Sequence, residues 1–148
     1  MIIKKYLKEE YNGCEVEQCN ENNCKLKFNR IRDHMILKGE LISKGKFKIC
    51  DYFIFINDST CIICMVELRS NNVDASDIIK KFENAERQIK SFLKSYKLEG
   101  NKFKYYPILL SKSIARFDNE VITCKKICGE KIIREDCGIQ LQHIFKNY

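Results

Sequence analysis

Two carboxylates with apolar surroundings are the residues best placed to do chemistry in this sequence. Asp51 lies in KFKICDYFIFIN (46–57), and Glu67 lies in CIICMVELR (61–69). From Ile49 onward, both segments have apolar residues at odd and even positions, which predicts strands buried on both faces. A charge in such a strand costs several kcal/mol unless it is paired or bound to a cation. Either a partner stabilises the two carboxylates, or they lie at strand ends that water reaches.

The two carboxylates are also spaced so that they can meet. If residues 58–60 form a three-residue hairpin loop, Asn57 faces Cys61. The same register puts Asp51 opposite Glu67, with their Cβ atoms about 4.5–5.5 Å apart on one face of the sheet. Carboxylates this close repel each other and would share a proton, whereas a divalent cation between them removes that cost. Because Mg²⁺ is often held by one or two carboxylates plus waters and substrate phosphates, the spacing predicts a metal site.

A cationic side chain follows the second carboxylate. Arg69 lies two residues after Glu67, so in a strand it projects from the same face. A cation beside a two-carboxylate metal site suits phosphodiester hydrolysis, because the metal activates water and the cation stabilises developing charge. The alternative is a simple surface ion pair between Arg69 and Glu67, which contributes little.

A long amphipathic helix is predicted after the hairpin, over residues 75–98. Its apolar stripe is formed at helical spacing by Ile78, Phe82, Ala85, Ile89, Phe92 and Tyr96. Asp74 can cap its N-terminus, and Gly100 is placed as a C′ glycine.

The remaining segments complete an α/β (α+β) fold, a mixed β-sheet flanked by helices in a single domain over residues 1–148. We predict a helix at 1–10, a polar loop at 12–24, strands at 25–31, 35–43 and 103–111, a turn at 43–45, and two short strands and a terminal helix within 120–148. Pro107 indicates that the 103–111 strand has an edge or an irregularity, because proline lacks a backbone N–H.

This combination of residues resembles the PD-(D/E)XK nuclease superfamily, which has the restriction-endonuclease-like fold. The similarity covers roughly residues 35–111: Asp51, the hairpin, Glu67-Leu68-Arg69, and a helix with Gln88. It implies Mg²⁺ or Mn²⁺ bound by Asp51 and Glu67, and Gln88 lining the site.

The resemblance further implies another acidic ligand from earlier in the chain. Glu40 is the nearest candidate, and Glu10 on the first helix is the other.

One departure from the family pattern concerns the residue that assists the attacking water. Arg69 stands where lysine is usual, and arginine does not lose its proton to act as a base. Lys81 or Lys48 could substitute for it; otherwise the site is inactive.

The resemblance therefore implies a metal-dependent nuclease acting on DNA rather than RNA, with roles in phage defence, restriction or mobile-element biology, in a homodimer or a larger defence complex. The alternative is a catalytically inactive nuclease-like domain that acts as a binding or regulatory subunit.

The charge balance is compatible with a nucleic-acid partner. The chain of 148 residues has 27 Lys and Arg against 20 Asp and Glu, a net charge of +7. Basic residues are frequent over 80–104, although a solvated helix face has the same composition. No apolar run approaches the roughly 18–20 residues of a membrane span, and the start does not read as a secretory signal. We therefore expect a cytoplasmic protein without membrane contact.

Nine cysteines are a high count for such a chain. In a reducing compartment they are expected to be thiols or metal ligands before disulfides. Cys61 and Cys64 have zinc-ligand spacing, but residues three apart in a strand point to opposite faces. The other cysteines lack a standard cluster spacing, so structural zinc or an iron–sulfur cluster is a minor alternative.

Overall fold

A mixed sheet between helices forms the centre of the fold in the computed structural model, which describes residues 2–71 and 73–148. Within these ranges the elements are α1 (Ile2–Glu10), β1 (Glu15–Val16), β2 (Cys19–Glu21), β3 (Cys24–Leu26), β4 (His34–Lys38), α2 (Gly39–Ser43), β5 (Tyr52–Asn57), β6 (Cys61–Arg69), α3 (Ala75–Ser95), β7 (Phe103–Ser111), α4 (Arg116–Cys124), β8 (Lys126–Ile127), β9 (Glu130–Lys131), β10 (Ile133–Glu135) and α5 (Leu141–Asn147). The sheet has the order β1-β4-β5-β6-β7-β10. Strands β1, β4, β5 and β6 pair antiparallel, whereas β7 is parallel to β6 and β10. The predicted mixed α+β class is confirmed.

The central strands are buried on both faces, as predicted. On one face, Phe53 and Met65 share a core with residues of α1, α3 and α4. On the other face, Ile54 and Val66 share a second core with the β2–β3 hairpin and α5. Because each strand serves two cores, β5 and β6 are apolar at successive positions.

The hairpin register is confirmed. Tyr52 is opposite Val66, and Asn57 is opposite Cys61. The strand is shorter than the predicted 46–57, because regular pairing begins at Tyr52. Asp51 therefore lies directly before β5, in register with Glu67.

The long helix also forms, with its predicted start. Asp74 caps α3 by accepting hydrogen bonds from the backbone N–H groups of Ser76 and Asp77. The predicted end is wrong: Lys97, not Gly100, has the left-handed conformation after the helix (φ 56°). The Leu98 N–H donates to the Leu93 carbonyl at 2.7 Å, so the chain leaves the helix before the glycine.

Several predictions for the first third of the chain were wrong. The strand predicted at 35–43 ends at Lys38, and α2 follows, because Gly39 lies against the Cys50 carbonyl where a Cβ would clash. The predicted loop at 12–24 contains β1 and β2, and the strand at 25–31 is reduced to β3. Strand β1 pairs with the distant β4, whereas β2 and β3 form a tight hairpin whose turn residues, Asn22 and Asn23, have positive φ.

The last third follows the prediction in part. Strand β7 and the terminal helix α5 are confirmed, but α4 was not predicted. Strand β10 pairs only with Ile108–Leu110, so Pro107 lies on the part of β7 that β10 leaves uncovered, while it stays in register with Met65 of β6. This agrees with the predicted edge.

The expectation of thiols was wrong for two cysteines, because Cys24 and Cys137 form a disulfide. The Lys27 N–H donates to the Ile139 carbonyl, and the Gly138 N–H donates to the Lys25 carbonyl, which brings the two chain segments together. The other seven cysteines are free.

Cys61 and Cys64 lie on opposite faces of β6, as predicted: Cys61 packs against one core and Cys64 belongs to the other. In the part of the chain that the structure describes, no helix has the length and apolar character to cross a membrane.

Candidate active site

The two predicted carboxylates are neighbours at the start of β5 and the end of β6. The Asp51 N–H donates to Glu67 Oε1 at 3.2 Å, and the Leu68 N–H donates to Asp51 Oδ2 at 2.8 Å. Glu67 has a side chain that is 1 % exposed, whereas Asp51 is partly buried. We call Asp51 and Glu67 the carboxylate pair.

Two cations from different elements neutralise Glu67. Arg69 Nε and Lys81 Nζ lie 2.8 Å and 3.0 Å from the same oxygen, Glu67 Oε2. Arg69 belongs to β6, as Glu67 does, whereas Lys81 comes from the second turn of α3. Since an unpaired buried carboxylate is very unfavourable, these two contacts explain how Glu67 remains in the core.

Asp77, in the first turn of α3, pairs with Arg69 and with a third cation, Lys48. Arg69 Nη2 donates to Asp77 Oδ2 at 2.8 Å, and Lys48 Nζ donates to Asp77 Oδ1 at 2.7 Å. The hydrogen bond from Lys48 is the main cause of a lowered pKa at Asp77. The result is a chain of alternating charges from Glu67 through Arg69 to Asp77 and Lys48.

The pKa of Asp51 is raised, in contrast to the lowered pKa of Asp77. Burial and the nearby Glu67 carboxylate raise the pKa of Asp51 to about 7, with Glu21 adding to the shift. Its Oδ2 accepts the Leu68 N–H, which favours the charged form but does not outweigh burial. Near neutral pH, Asp51 therefore takes up and releases a proton readily, and a divalent cation could replace that proton.

Glu21 is a third acidic side chain near the site that the sequence analysis did not identify. The hydroxyl of Tyr52 donates to the Asn20 carbonyl at 2.9 Å and to Glu21 Oε1 at 3.1 Å. These bonds hold the β2–β3 hairpin over the start of β5. In the sequence, Glu21 is one of several acidic residues in a polar segment, and nothing local distinguishes it.

The carboxylate pair opens into two adjoining cavities. The smaller, of about 180 Å³, is lined by both members of the pair, and the larger has about 480 Å³. We call them together the carboxylate cleft. The charged residues lining the larger cavity are Glu21, Lys38, Glu40, Lys48, Asp51, Arg69, Asp77 and Lys81.

The other predicted site residues are placed differently. Glu40 lies on α2 rather than on a strand and lines the larger cavity, but its side chain is 76 % exposed and its ion-pair partner is Lys38, at 4.0 Å. Gln88 lies about 10 Å further along α3 than Lys81, and its Nε2 donates to the Tyr11 hydroxyl at 2.8 Å.

The other candidate ligand, Glu10, accepts a hydrogen bond from the Tyr96 hydroxyl near the far end of α3. The structure therefore brings neither Gln88 nor Glu10 to the carboxylate pair.

The donor set of the carboxylate cleft fits a hard divalent cation. No group of three or more His, Cys, Asp or Glu side chains is arranged as a metal site within residues 2–71 and 73–148. Mg²⁺ needs only one or two carboxylates when waters complete its shell, and Asp51 and Glu67 supply them. The cavity that both residues line, about 180 Å³, has room for an ion with several waters, each of which occupies roughly 30 Å³.

Comparison of the chain with known proteins finds no matching family model and no significantly similar characterised protein or solved structure. The resemblance to the PD-(D/E)XK superfamily therefore stays a prediction, carried by the carboxylate pair and the hairpin that positions it.

Proposed function

We propose that this protein is a metal-dependent nuclease with a restriction-endonuclease-like core. The observation that carries the proposal is the carboxylate pair at the end of a buried hairpin, with the Arg69 and Lys81 cations on one oxygen of Glu67. Buried acidic groups with cations around them are typical of sites that bind and cleave phosphodiesters. Asp51 and Glu67 would hold the metal ion, Mg²⁺ or Mn²⁺.

Each side chain of the cleft has a distinct proposed role. A bound metal ion would lower the pKa of a water and neutralise phosphate charge. Arg69, fixed between Glu67 and Asp77, presents a guanidinium to a phosphate oxygen. Lys81 reaches the same Glu67 oxygen as Arg69 and, unlike arginine, can exchange a proton with an attacking water. We therefore assign to Lys81 the role that the family pattern gives to a lysine at position 69.

The proposed substrate is DNA, on the strength of the family resemblance. Exposed lysines on α3, including Lys80, Lys90 and Lys94, offer contacts to a phosphate backbone. Because one active site cuts one strand, double-strand cleavage would require two copies of the chain. A role in phage defence or mobile-element biology belongs to the same proposal.

Cleavage of duplex DNA, single-stranded DNA and RNA in Mg²⁺, Mn²⁺ or EDTA tests the proposal. Asp51→Asn, Glu67→Gln and Lys81→Ala should each reduce metal-dependent cleavage by about 100-fold or more. Asp58→Asn, in the loop of the same hairpin, and Lys5→Ala, on the exposed side of α1, are matched controls. Cleavage that survives in Asp51→Asn and Glu67→Gln would contradict the proposal.

One observation favours a second candidate, an inactive nuclease-like domain that acts as a binding or regulatory subunit. Glu67 Oε2 already has two cationic partners, and Arg69 occupies the position where lysine is usual. If this candidate is correct, the wild type cuts nothing and Mg²⁺ does not change its melting temperature. Cleavage that appears only in Arg69→Lys would identify a degenerate nuclease site.

A further inference from the structure

A second and larger cleft lies beside the first half of β7, where β10 no longer covers that strand. It has a volume of about 970 Å³. We call it the basic cleft and define it by its cations: Lys104, Arg116, Lys126, Lys131 and Arg134. Glu130 is the single acidic side chain that lines it within the described part of the chain.

Two of these cations face each other without a counter-charge. Lys126 and Lys131 are directly opposite in the β8–β9 hairpin, and both are exposed. Neither forms an ion pair with a carboxylate in residues 2–71 and 73–148. Like charges at opposed positions destabilise a strand pair, so this hairpin holds a repulsion that a bound anion would relieve.

Other cations of the basic cleft contact neutral groups, and its two arginines also pair with carboxylates: Arg116 with Glu120, at 3.1 Å, and Arg134 with Asp136. Arg134 Nε donates to Ser111 Oγ and its Nη2 to the Ser111 carbonyl, both at 3.1 Å, while Asp136 is 3.3 Å away. Lys104 Nζ lies 5.1 Å from the centre of the Tyr106 ring. These contacts position the charges and leave much of their electrostatic field unneutralised.

Aromatic rings accompany the charges. Tyr105, Tyr106 and Tyr148 line the cleft. Tyr106 is buried and Tyr105 half-buried, whereas Tyr148 is 53 % exposed, and its hydroxyl donates to Glu135 Oε1 at 2.8 Å. Tyrosine rings are stacking surfaces for nucleobases, and lysines are phosphate ligands. The volume lies at the upper end of the range typical of small-molecule sites, about 300–1,000 Å³.

We infer that the basic cleft binds a nucleotide unit, with its phosphates at Lys126 and Lys131 and its base against the exposed ring of Tyr148. This inference goes beyond the proposed nuclease function. Lys104 pairs with Ile62, five residues before Glu67 on β6, so the two sites are roughly 16 Å apart along the strands. The unit comes either from a free nucleotide or from the unpaired end of a nucleic-acid strand.

Fluorescence anisotropy in EDTA separates these two sources and keeps the test independent of cleavage. The probes are a fluorescently labelled ATP and a labelled, 5′-phosphorylated single strand of about eight thymidines. The Asp51→Asn background prevents any cutting. Binding of either probe supports the inference, and the tighter one identifies the source.

Paired variants connect the binding to the cleft. Lys126→Ala/Lys131→Ala should weaken the affinity for the bound probe about tenfold or more, because two phosphate contacts are lost. Lys5→Ala/Lys8→Ala removes the same charge from the exposed side of α1 and should leave the affinity within about twofold.

Competition tests the aromatic part of the inference. Tyr148→Ala should weaken nucleotide binding. The affinity for tripolyphosphate, measured by its displacement of the probe, should stay unchanged because tripolyphosphate has no base. The inference is overturned if neither probe binds, or if the two double variants weaken binding equally. It is also overturned if tripolyphosphate or hexaglutamate displaces the probe as well as an unlabelled nucleotide does. Displacement by hexaglutamate would indicate an acidic peptide as the partner.

Discussion

The carboxylate cleft and the basic cleft both contain clustered charges, but the charges are paired in the first and partly unpaired in the second. In the carboxylate cleft, Glu67 is inside the core, and Arg69 and Lys81 each contact it within 3.0 Å. In the basic cleft, Lys126 and Lys131 are exposed and face each other. One cluster is neutralised by the fold itself, whereas the other has excess charge for a ligand.

This difference separates two functional requirements. Chemistry at a phosphodiester needs groups held in fixed geometry, and a buried network of ion pairs provides it. Binding of an anion needs charges that are free to exchange water for phosphate, and exposed lysines provide them. The carboxylate cleft should therefore dominate the stability of the protein, and the basic cleft should dominate its affinity for anions.

The largest predicted effect concerns the disulfide that lies between the two clefts. Cys24 belongs to the hairpin that carries Glu21, and Cys137 follows β10, which carries Arg134. The bond spans 113 residues, and closing a loop of that length stabilises a fold by about 5 kcal/mol in the chain-entropy account. Reduction with a dithiol should lower the free energy of unfolding by about that amount, measured in urea.

The matched variants for this test differ only in the cysteine that is replaced. Cys24→Ser/Cys137→Ser should be less stable and insensitive to the dithiol, whereas Cys124→Ser, at an exposed free cysteine, should keep the full response. A wild type with the same urea midpoint in both redox conditions would contradict the prediction.

The second predicted effect concerns the contribution of Glu67 to the free energy of unfolding. Glu67→Gln leaves Arg69 and Lys81 facing a neutral amide, and breaking a buried ion pair on one side costs about 3 kcal/mol. The matched control is Glu130→Gln in the basic cleft, which is exposed and should change stability by less than about 0.5 kcal/mol. Urea unfolding of both variants measures the difference, and equal changes would remove the contrast between the clefts.

The sequence predicted the carboxylate pair because local rules place it. A three-residue loop sets the hairpin register, and a doubly apolar pattern identifies β5 and β6, so Asp51 opposite Glu67 follows without any long-range information. The apolar stripe of α3 likewise predicts the helix that carries Lys81. In both cases the apolar pattern extends over enough residues to favour one type of secondary structure over the others.

The rest of the cleft depends on contacts that local patterns do not contain. Glu21 reaches Asp51 because Tyr52 holds the hairpin and Cys24 is bonded far along the chain. Gln88, expected at the site, instead contacts Tyr11 of the segment after α1. Gly39 ends a predicted strand because of a close approach to a distant carbonyl. Each outcome is decided by tertiary packing, which a single sequence does not display.

The third predicted effect concerns the proton on Asp51. Its pKa is about 7 in the folded protein, against 3.8 for an ordinary aspartate. The folded state therefore binds more protons than the unfolded state between these values, and stability falls as the pH rises through them. The amide of the Asp51→Asn variant cannot titrate, so the stability of this variant relative to wild type should increase by about 2 kcal/mol from about pH 5.5 to pH 8.

Urea unfolding across that pH range measures this effect, with Asp58→Asn at an exposed position as the control. The control and wild-type curves should stay parallel. Adding Mg²⁺ at about pH 8 should raise the melting temperature of wild type and not of Asp51→Asn, since the ion replaces the proton. Parallel curves for Asp51→Asn and wild type would show that Asp51 is charged at low pH in the folded protein.

The smallest predicted effect concerns Lys131 in the basic cleft. Substitution of this residue should raise the stability of the fold and lower the affinity for a nucleotide. Lys131→Glu places a carboxylate opposite Lys126, which converts a repulsive cross-strand pair into an attractive one and should stabilise the fold by about 0.5 kcal/mol. The same change should weaken nucleotide binding more than Lys131→Gln does, because it adds negative charge where phosphate is expected. Lys131→Gln removes only the repulsion, so its stability should lie between those of wild type and Lys131→Glu. If the two lysines bind a ligand, Lys131→Glu should be more stable than wild type and bind the nucleotide less well. If it gains stability and binds as well as wild type, the lysines do not contact the nucleotide.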